Sequence, residues 1–421
     1  MELNYQRVRI NKVMSDTQTF VQHGCLHVNL EQLRSELMRD PNIRDVQINL
    51  ANPGESCRIL PVKDAIEPRC KVGEKPEYFC SLGMNPQSAG SGVTRILDGA
   101  AVLVSGPRFS NMEGIVDMFG PGQPYTPFGN TCNVVLWIEA QDNLPPDVVR
   151  KTQHNAGARA AEYLACLADA APDQTETLSW DPVLSNNLPR VAILDIFVFR
   201  AGYDTLVYGR DTGYFIPTVI NPLAALDGVI ENVSGRISGH RPATYHHQNN
   251  PTILEAIKRH NSEINLVGVL IGLQENSYER KIQNSQMMKE LMRILHLDGL
   301  IIIEENKGNP DVDLMLSCKA AEDLGIKTVL MTDESAGEDG ASPGMADFVP
   351  EATAIISSGN CNEAILLPPA ERIIGDIGCV GLLNGSFHDS LLADGSLRVE
   401  LLALPGSCVE LGTTDMTCIE I

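Results

Sequence analysis

Residues 264–305 read INLVGVLIGLQENSYERKIQNSQMMKELMRILHLDGLIIIEE. The two ends, INLVGVLIG (264–272) and DGLIIIEE (298–305), are short and almost wholly apolar, the composition of strands buried on both faces. The polar, helix-favouring residues between them predict a helix over about 277–296. Strand, helix and strand in that length predict a parallel pair joined by a crossover. The rhythm continues outward. TILEAIKRHN (252–261) predicts a helix before the first strand, and a helix at 311–324 precedes a strand at IKTVLMTDE (326–334). ATAIISSGN (352–360) and AILLPP (364–369) read as further strands, and RVAILDIFVFR (190–200) as another strand buried on both faces. The expected fold is α/β: a mostly parallel α/β sheet domain over 252–421 with helices on both faces. Ligands on such sheets sit beyond the carboxyl ends of the strands, which here carry Glu304, Glu305, Asp333, Glu334 and Asn360.

Upstream, residues 1–230 read as a β-rich α+β region. EQLRSELMRD has helical apolar spacing at Leu33, Leu37 and Met38, and RDVQINL alternates like a strand. Residues 51–135 combine Gly/Pro-rich loops with apolar runs such as AAVLVSG and NVVLWIEA. An alanine-rich helix is expected at about 146–169, followed by a polar loop at 170–186. Between these two regions lies a separate segment, 231–251, which takes in most of a Gly/Ser/His-rich stretch at 228–250.

The formal charge is 32 − 54 = −22, which opposes association with nucleic acid or anionic membrane surfaces. No apolar run reaches the length of a membrane span, and the N-terminus lacks the apolar core of a signal peptide. The 11 cysteines are scattered without a C-x-x-C pair, so neither a disulfide framework nor a zinc ribbon is indicated. A reduced, cytoplasmic protein is expected, with no metal set of standard spacing.

Four blocks carry candidate chemistry. NPGESCRILPVKDAIEPR (52–69) packs Glu55, Arg58, Lys63, Asp64, Glu67 and Arg69 together. It reads either as a grip on a zwitterion, with arginine on a carboxylate, or as a self-paired loop. EGIVDMFGPGQPYTPFGNTCNVVL (113–136) places Glu113 and Asp117 before a Gly/Pro turn, Tyr125 and Phe128. Carboxylates beside aromatic rings suit an ammonium group; simple packing of the turn is the other reading. In TYHHQNNP (244–251), His246 and His247 would point to opposite faces of a strand, so a joint metal site from the pair is not expected. One of them is a candidate general acid or base, while Asn249 and Asn250 read as a helix cap before Pro251. EENKGNPDVDLMLSCKAAEDLGIKTVLMTDESAGEDGAS (304–342) crowds acids around Asn309 and Asp333 at two strand–helix junctions. There they serve helix dipoles or a cation pocket. No P-loop, G-x-G-x-x-G, H-E-x-x-H or G-x-S-x-G occurs.

These blocks, in this order and with AAEYL (160–164) between them, resemble the component B proprotein of glycine, sarcosine and betaine reductases from about residue 5 to 415. The D-proline reductase proprotein is a more distant likeness. The resemblance implies a subunit that binds a small amine substrate beside a partner subunit carrying selenocysteine or cysteine. It also implies delivery of the carbon fragment to a small carrier selenoprotein, with reducing equivalents from a thiol system. Substrate contacts fall on Glu67, Arg69, Glu113, Asp117, Tyr125, Asn309 and Asp333, and catalytic roles on His246 or His247. In that family the proprotein cleaves itself before an internal cysteine, which becomes a pyruvoyl group. Here DGVIENVSGRISGHRPATYHHQNNP (227–251) contains no cysteine. Ser234 or Ser238 would have to supply the group if the chain processed itself; otherwise it stays whole and holds no cofactor. Three functions follow as expectations. The first is a substrate-binding subunit assisting reductive cleavage of a C–N or related C–S bond. The second is a non-catalytic binding or scaffold paralogue, and the third a serine-derived pyruvoyl decarboxylase.

Overall fold

The computed structural model describes residues 1–182, 187–198, 205–214, 216–413 and 416–420. Its principal element is a seven-stranded sheet in the order Thr218–Ile220, Asn265–Leu273, Arg190–Phe197, Gly299–Glu304, Lys327–Glu334, Ala354–Asn360 and Thr417–Glu420. The inner five are parallel and only the two edges run antiparallel. This is the α/β sheet expected from the apolar runs. Side chains alternate along Arg190–Phe197. Ile193 and Phe197 enter the core beneath the helix Pro251–Arg259, while Ala192, Leu194 and Ile196 enter the core beneath the helices Tyr278–Ile294 and Asn309–Glu322. Both faces are thus covered, as crossover connections require. The sheet takes strands from before residue 230 as well as after it, so its core is assembled from distant parts of the chain.

The N-terminal half contributes a sheet in the order Gly114–Asp117, Cys57–Ile66, Ala100–Ser105, Cys132–Ala140 and Ile43–Ala51, on which Arg372–Gly375 returns to pair with Cys57–Ile66. The alanine-rich helix forms at Pro146–Leu167. Its small residues let it lie close to this sheet: a Cβ on Gly157 would meet Val104 Cγ2 at 2.4 Å. Gly157→Ala therefore overpacks the interface, at a cost of about 1–3 kcal/mol. A four-stranded sheet runs Gln174–Ser179, Glu2–Arg9, Gly92–Asp98 and Arg69–Lys71.

Three sequence expectations change. The polar stretch 170–186 supplies a strand, Gln174–Ser179, because its backbone pairs antiparallel with the N-terminal strand even though, Leu178 apart, most of its side chains are exposed. AILLPP forms Ala364–Leu367, which pairs with Leu397–Glu400 instead of joining the large sheet. TYHHQ is helical, Thr244–Gln248, so His246 and His247 are neighbours on one turn and not on opposite faces of a strand. Asn250 caps the next helix, accepting from the Ile253 amide at 3.0 Å, as expected for an Asn before Pro251.

Candidate functional site

A cleft of about 700 Å³ opens at the carboxyl end of Ala354–Asn360. One wall is the loop Pro124–Pro127; the other is made by Ser358–Asn360, Glu363 and the chain from Gly406 to Thr413. The loop is held by what lies under it. Arg58 makes two hydrogen bonds to the carboxylate of Asp117, 2.6 and 2.7 Å, and donates a third to the Pro368 carbonyl at 2.9 Å. Both side chains are wholly buried. Burial pushes the Asp117 carboxyl up, and the bonds from Arg58 oppose it. The glycines of the GPG turn are needed for space: a Cβ on Gly122 would lie 2.6 Å from Leu367 and 3.4 Å from the Asp117 side chain.

The sequence-predicted residues separate into a lining group and a supporting group. Tyr125 lines the cleft and is exposed. Asp117 lies beneath it. Glu113 is buried against Lys63 at 2.6 Å and accepts from the amides of Phe109 and Ser110. Glu67 is buried against Arg69, and Arg69 also donates to the carbonyls of Leu226 and Gln248 and to Asn249 Oδ1. The first and third sequence blocks are therefore joined: the Glu67–Arg69 pair clamps the helix Thr244–Gln248. Asn309 is exposed at a helix start and donates to the Glu275 carbonyl, outside the cleft lining. Asp333 is buried 3.3 Å from His240 Nδ1 and 3.9 Å from Lys307 Nζ.

His246 stands behind the cleft wall. Its Nδ1 accepts from the Ala243 amide at 2.8 Å, so the neutral ring carries its proton on Nε2. Burial, with the neighbouring His247 adding to it, depresses its pKa to about 3. Nε2 has no hydrogen-bond partner and points at Gly406, where a Cβ would come within 2.6 Å. Gly406 lines the cleft. The ring is thus a permanent N–H donor one glycine away from the cavity.

Ser234 is buried in a turn, donating to Asn232 Oδ1 at 2.6 Å and accepting from the Arg236 amide at 3.1 Å. Ser238 is buried with its hydroxyl unpartnered. Almost all of 230–250 is inaccessible to solvent.

Several site residues escaped the sequence reading. Asp195 sits in the middle of a strand, 1 % exposed, with both carboxylate oxygens unpartnered. Glu410 is likewise buried with neither oxygen hydrogen-bonded. Burial raises the pKa of both well above the carboxylate range, assisted by Glu305 for Asp195 and by Asp333, Glu304 and Glu305 for Glu410. A lone acid inside an apolar run was the available signal for Asp195. Two groups, His240–Asp333–Cys361 and Asp195–His247–Glu305, bring metal-ligating side-chain types together. Glu305 and Asp333, two of the acids at the strand ends, each belong to one of these groups.

The family model for glycine/sarcosine/betaine reductase component B subunits matches residues 1–419. The chain belongs to this family. It is 39% identical over 99% of both chains to the glycine reductase complex component B subunits alpha and beta of Acetoanaerobium sticklandii. It is 36% identical over 99% of both chains to the sarcosine reductase complex component B subunit alpha of Peptoclostridium acidaminophilum. The betaine reductase complex component B subunit alpha of the same organism is 30% identical over 95% of both chains. No solved structure gives a significant match. Component B relatives thus work as parts of reductase complexes, and this chain is a reductase-type component B subunit. Among the described residues no helix is long and apolar enough to cross a membrane.

Proposed function

We propose that this subunit binds a small amine-type substrate in the cleft between Tyr125 and Glu363 and holds it, without a covalent imine, for reductive C–N or related C–S cleavage by a partner subunit. The partner would carry the reactive cysteine or selenocysteine, and a small carrier selenoprotein or thiol system would complete the reaction. The observation that carries this reading is the cleft itself. It combines an aromatic ring, Tyr125, with the exposed carboxylate of Glu363. An aromatic face and a carboxylate suit an ammonium group. Relatives named for glycine, sarcosine and betaine reductases support that substrate class.

The residues here do not fit a cysteine-derived pyruvoyl group, because 227–251 contains no cysteine. Ser234, the positional candidate, has its hydroxyl engaged on both sides by the turn that holds it. No step is therefore routed through such a carbonyl. A quaternary amine, which cannot form an imine, would be as acceptable to this cleft as a primary one.

Calorimetric titration of the purified chain with glycine, sarcosine and betaine tests the reading. Saturable binding of at least one amine, weakened on Tyr125→Ala and on Glu363→Gln, is expected. If none binds, or if both variants bind as the parent does, the cleft is not the amine site.

A further inference from the structure

Strand alternation puts Asp195 on the same face as Ile193 and Phe197, and Glu305 follows the neighbouring strand, its amide donating to the Ile196 carbonyl. The helix Thr244–Gln248 lays His247 over this pair, with the Phe197 ring edge-on at 5.8 Å. All three side chains are at least nine-tenths buried. One ligating atom from each lies within 4.8 Å of the others.

The polar atoms here are not satisfied by one another. His247 Nε2 and Glu305 Oε1 approach to 3.2 Å, yet neither makes a hydrogen bond, and His247 Nδ1 and both oxygens of Asp195 also lack partners. His154 shows what a proton-bridged histidine looks like in this molecule. Its two nitrogens hydrogen-bond Asp64 at 3.1 Å and Glu231 at 2.9 Å. His247 has the same neighbours in kind, two carboxylates, but neither of its ring nitrogens hydrogen-bonds to them. Burying that many unpaired polar atoms is costly unless something completes them.

We infer that Asp195, His247 and Glu305 form a binding site for one divalent transition-metal ion of the zinc class. Around an ion with ligand bonds of about 2.0–2.1 Å, tetrahedral neighbours are roughly 3.3 Å apart, and the His247–Glu305 separation is 3.2 Å. Two carboxylates neutralise a divalent charge. One imidazole favours a borderline ion over magnesium or calcium, and the absence of a thiolate among the three disfavours copper(I). The ion would tie the helix Thr244–Gln248, and with it His246 at the cleft wall, to the centre of the large sheet. The inference goes beyond the amine-site reading and does not rest on it.

Elemental analysis of the purified full-length chain should find one equivalent of a divalent transition metal. The melting temperature should fall on chelation and return with added zinc. Asp195→Asn, which is isosteric and removes a buried acid, should hold no stoichiometric metal and should no longer respond to zinc. X-ray absorption at the zinc edge of the reconstituted parent needs no variant, and should show only light N/O neighbours at about 2.0–2.1 Å. A sulfur neighbour at about 2.3 Å would put the ion at Cys361 and overturn the assignment. So would a parent that neither contains nor takes up metal, or an Asp195→Asn variant that keeps a full equivalent.

Discussion

Raising the pH from 6 to above 9 should discharge a buried cation that joins three parts of the fold. His154, on the helix Pro146–Leu167, bridges Asp64 on Cys57–Ile66 and Glu231 on Ile230–Asn232. Burial opposes its charge, but hydrogen bonds and charge attraction from the two carboxylates outweigh burial and raise its pKa from 6.5 to about 9. A histidine whose folded pKa is raised adds stability that is fully present below 6.5 and is lost as pH climbs through 9. The interval from 6.5 to about 9, at about 1.4 kcal/mol per pH unit, corresponds to about 3 kcal/mol. Urea unfolding followed by tryptophan fluorescence at pH 6, 7.5 and 9.5 would measure it. The parent should lose about 3 kcal/mol over that range. His154→Gln should be weaker at pH 6, because two buried acids then face each other without a cation, and should show a flatter profile. If parent and variant share the same pH slope, His154 is not charged in the folded protein and the bridge has been misread.

Arg58→Met should cost about 3–5 kcal/mol by leaving the Asp117 carboxylate buried and alone, and adding Asp117→Leu should restore most of that loss in thermal unfolding. A double variant as unstable as the single one would show that the pair is not the cause. Gly406→Ala places a Cβ 2.6 Å from His246 Nε2 and 2.9 Å from Pro127 at a φ of +88°. It should destabilise the protein by about 1–3 kcal/mol and weaken amine binding in the same titration that tests Tyr125. Intact-mass measurement should find one species near 45.8 kDa. Two fragments divided at Ser234 or Ser238 would instead show serine-derived processing.

Local pattern determined much of this protein. The apolar runs at 190–200, 264–272, 298–305 and 326–334 and the helices between them were legible because burial on both faces leaves few polar residues in a strand. Asn250 before Pro251 was legible because a cap acts within one turn. The order of the sequence blocks carried the family, since no single motif was specific. Tertiary structure decided what the charges do. Glu67, Arg69, Glu113 and Asp117 looked like ligand-gripping residues, yet each is buried against a partner of opposite charge. Pairing of that kind depends on strands and turns meeting in space, which composition does not encode. The same holds for Asp195, His247 and Glu305. They are far apart in the chain, and only the parallel register of two strands and the helical turn at 244–248 bring their side chains to one point.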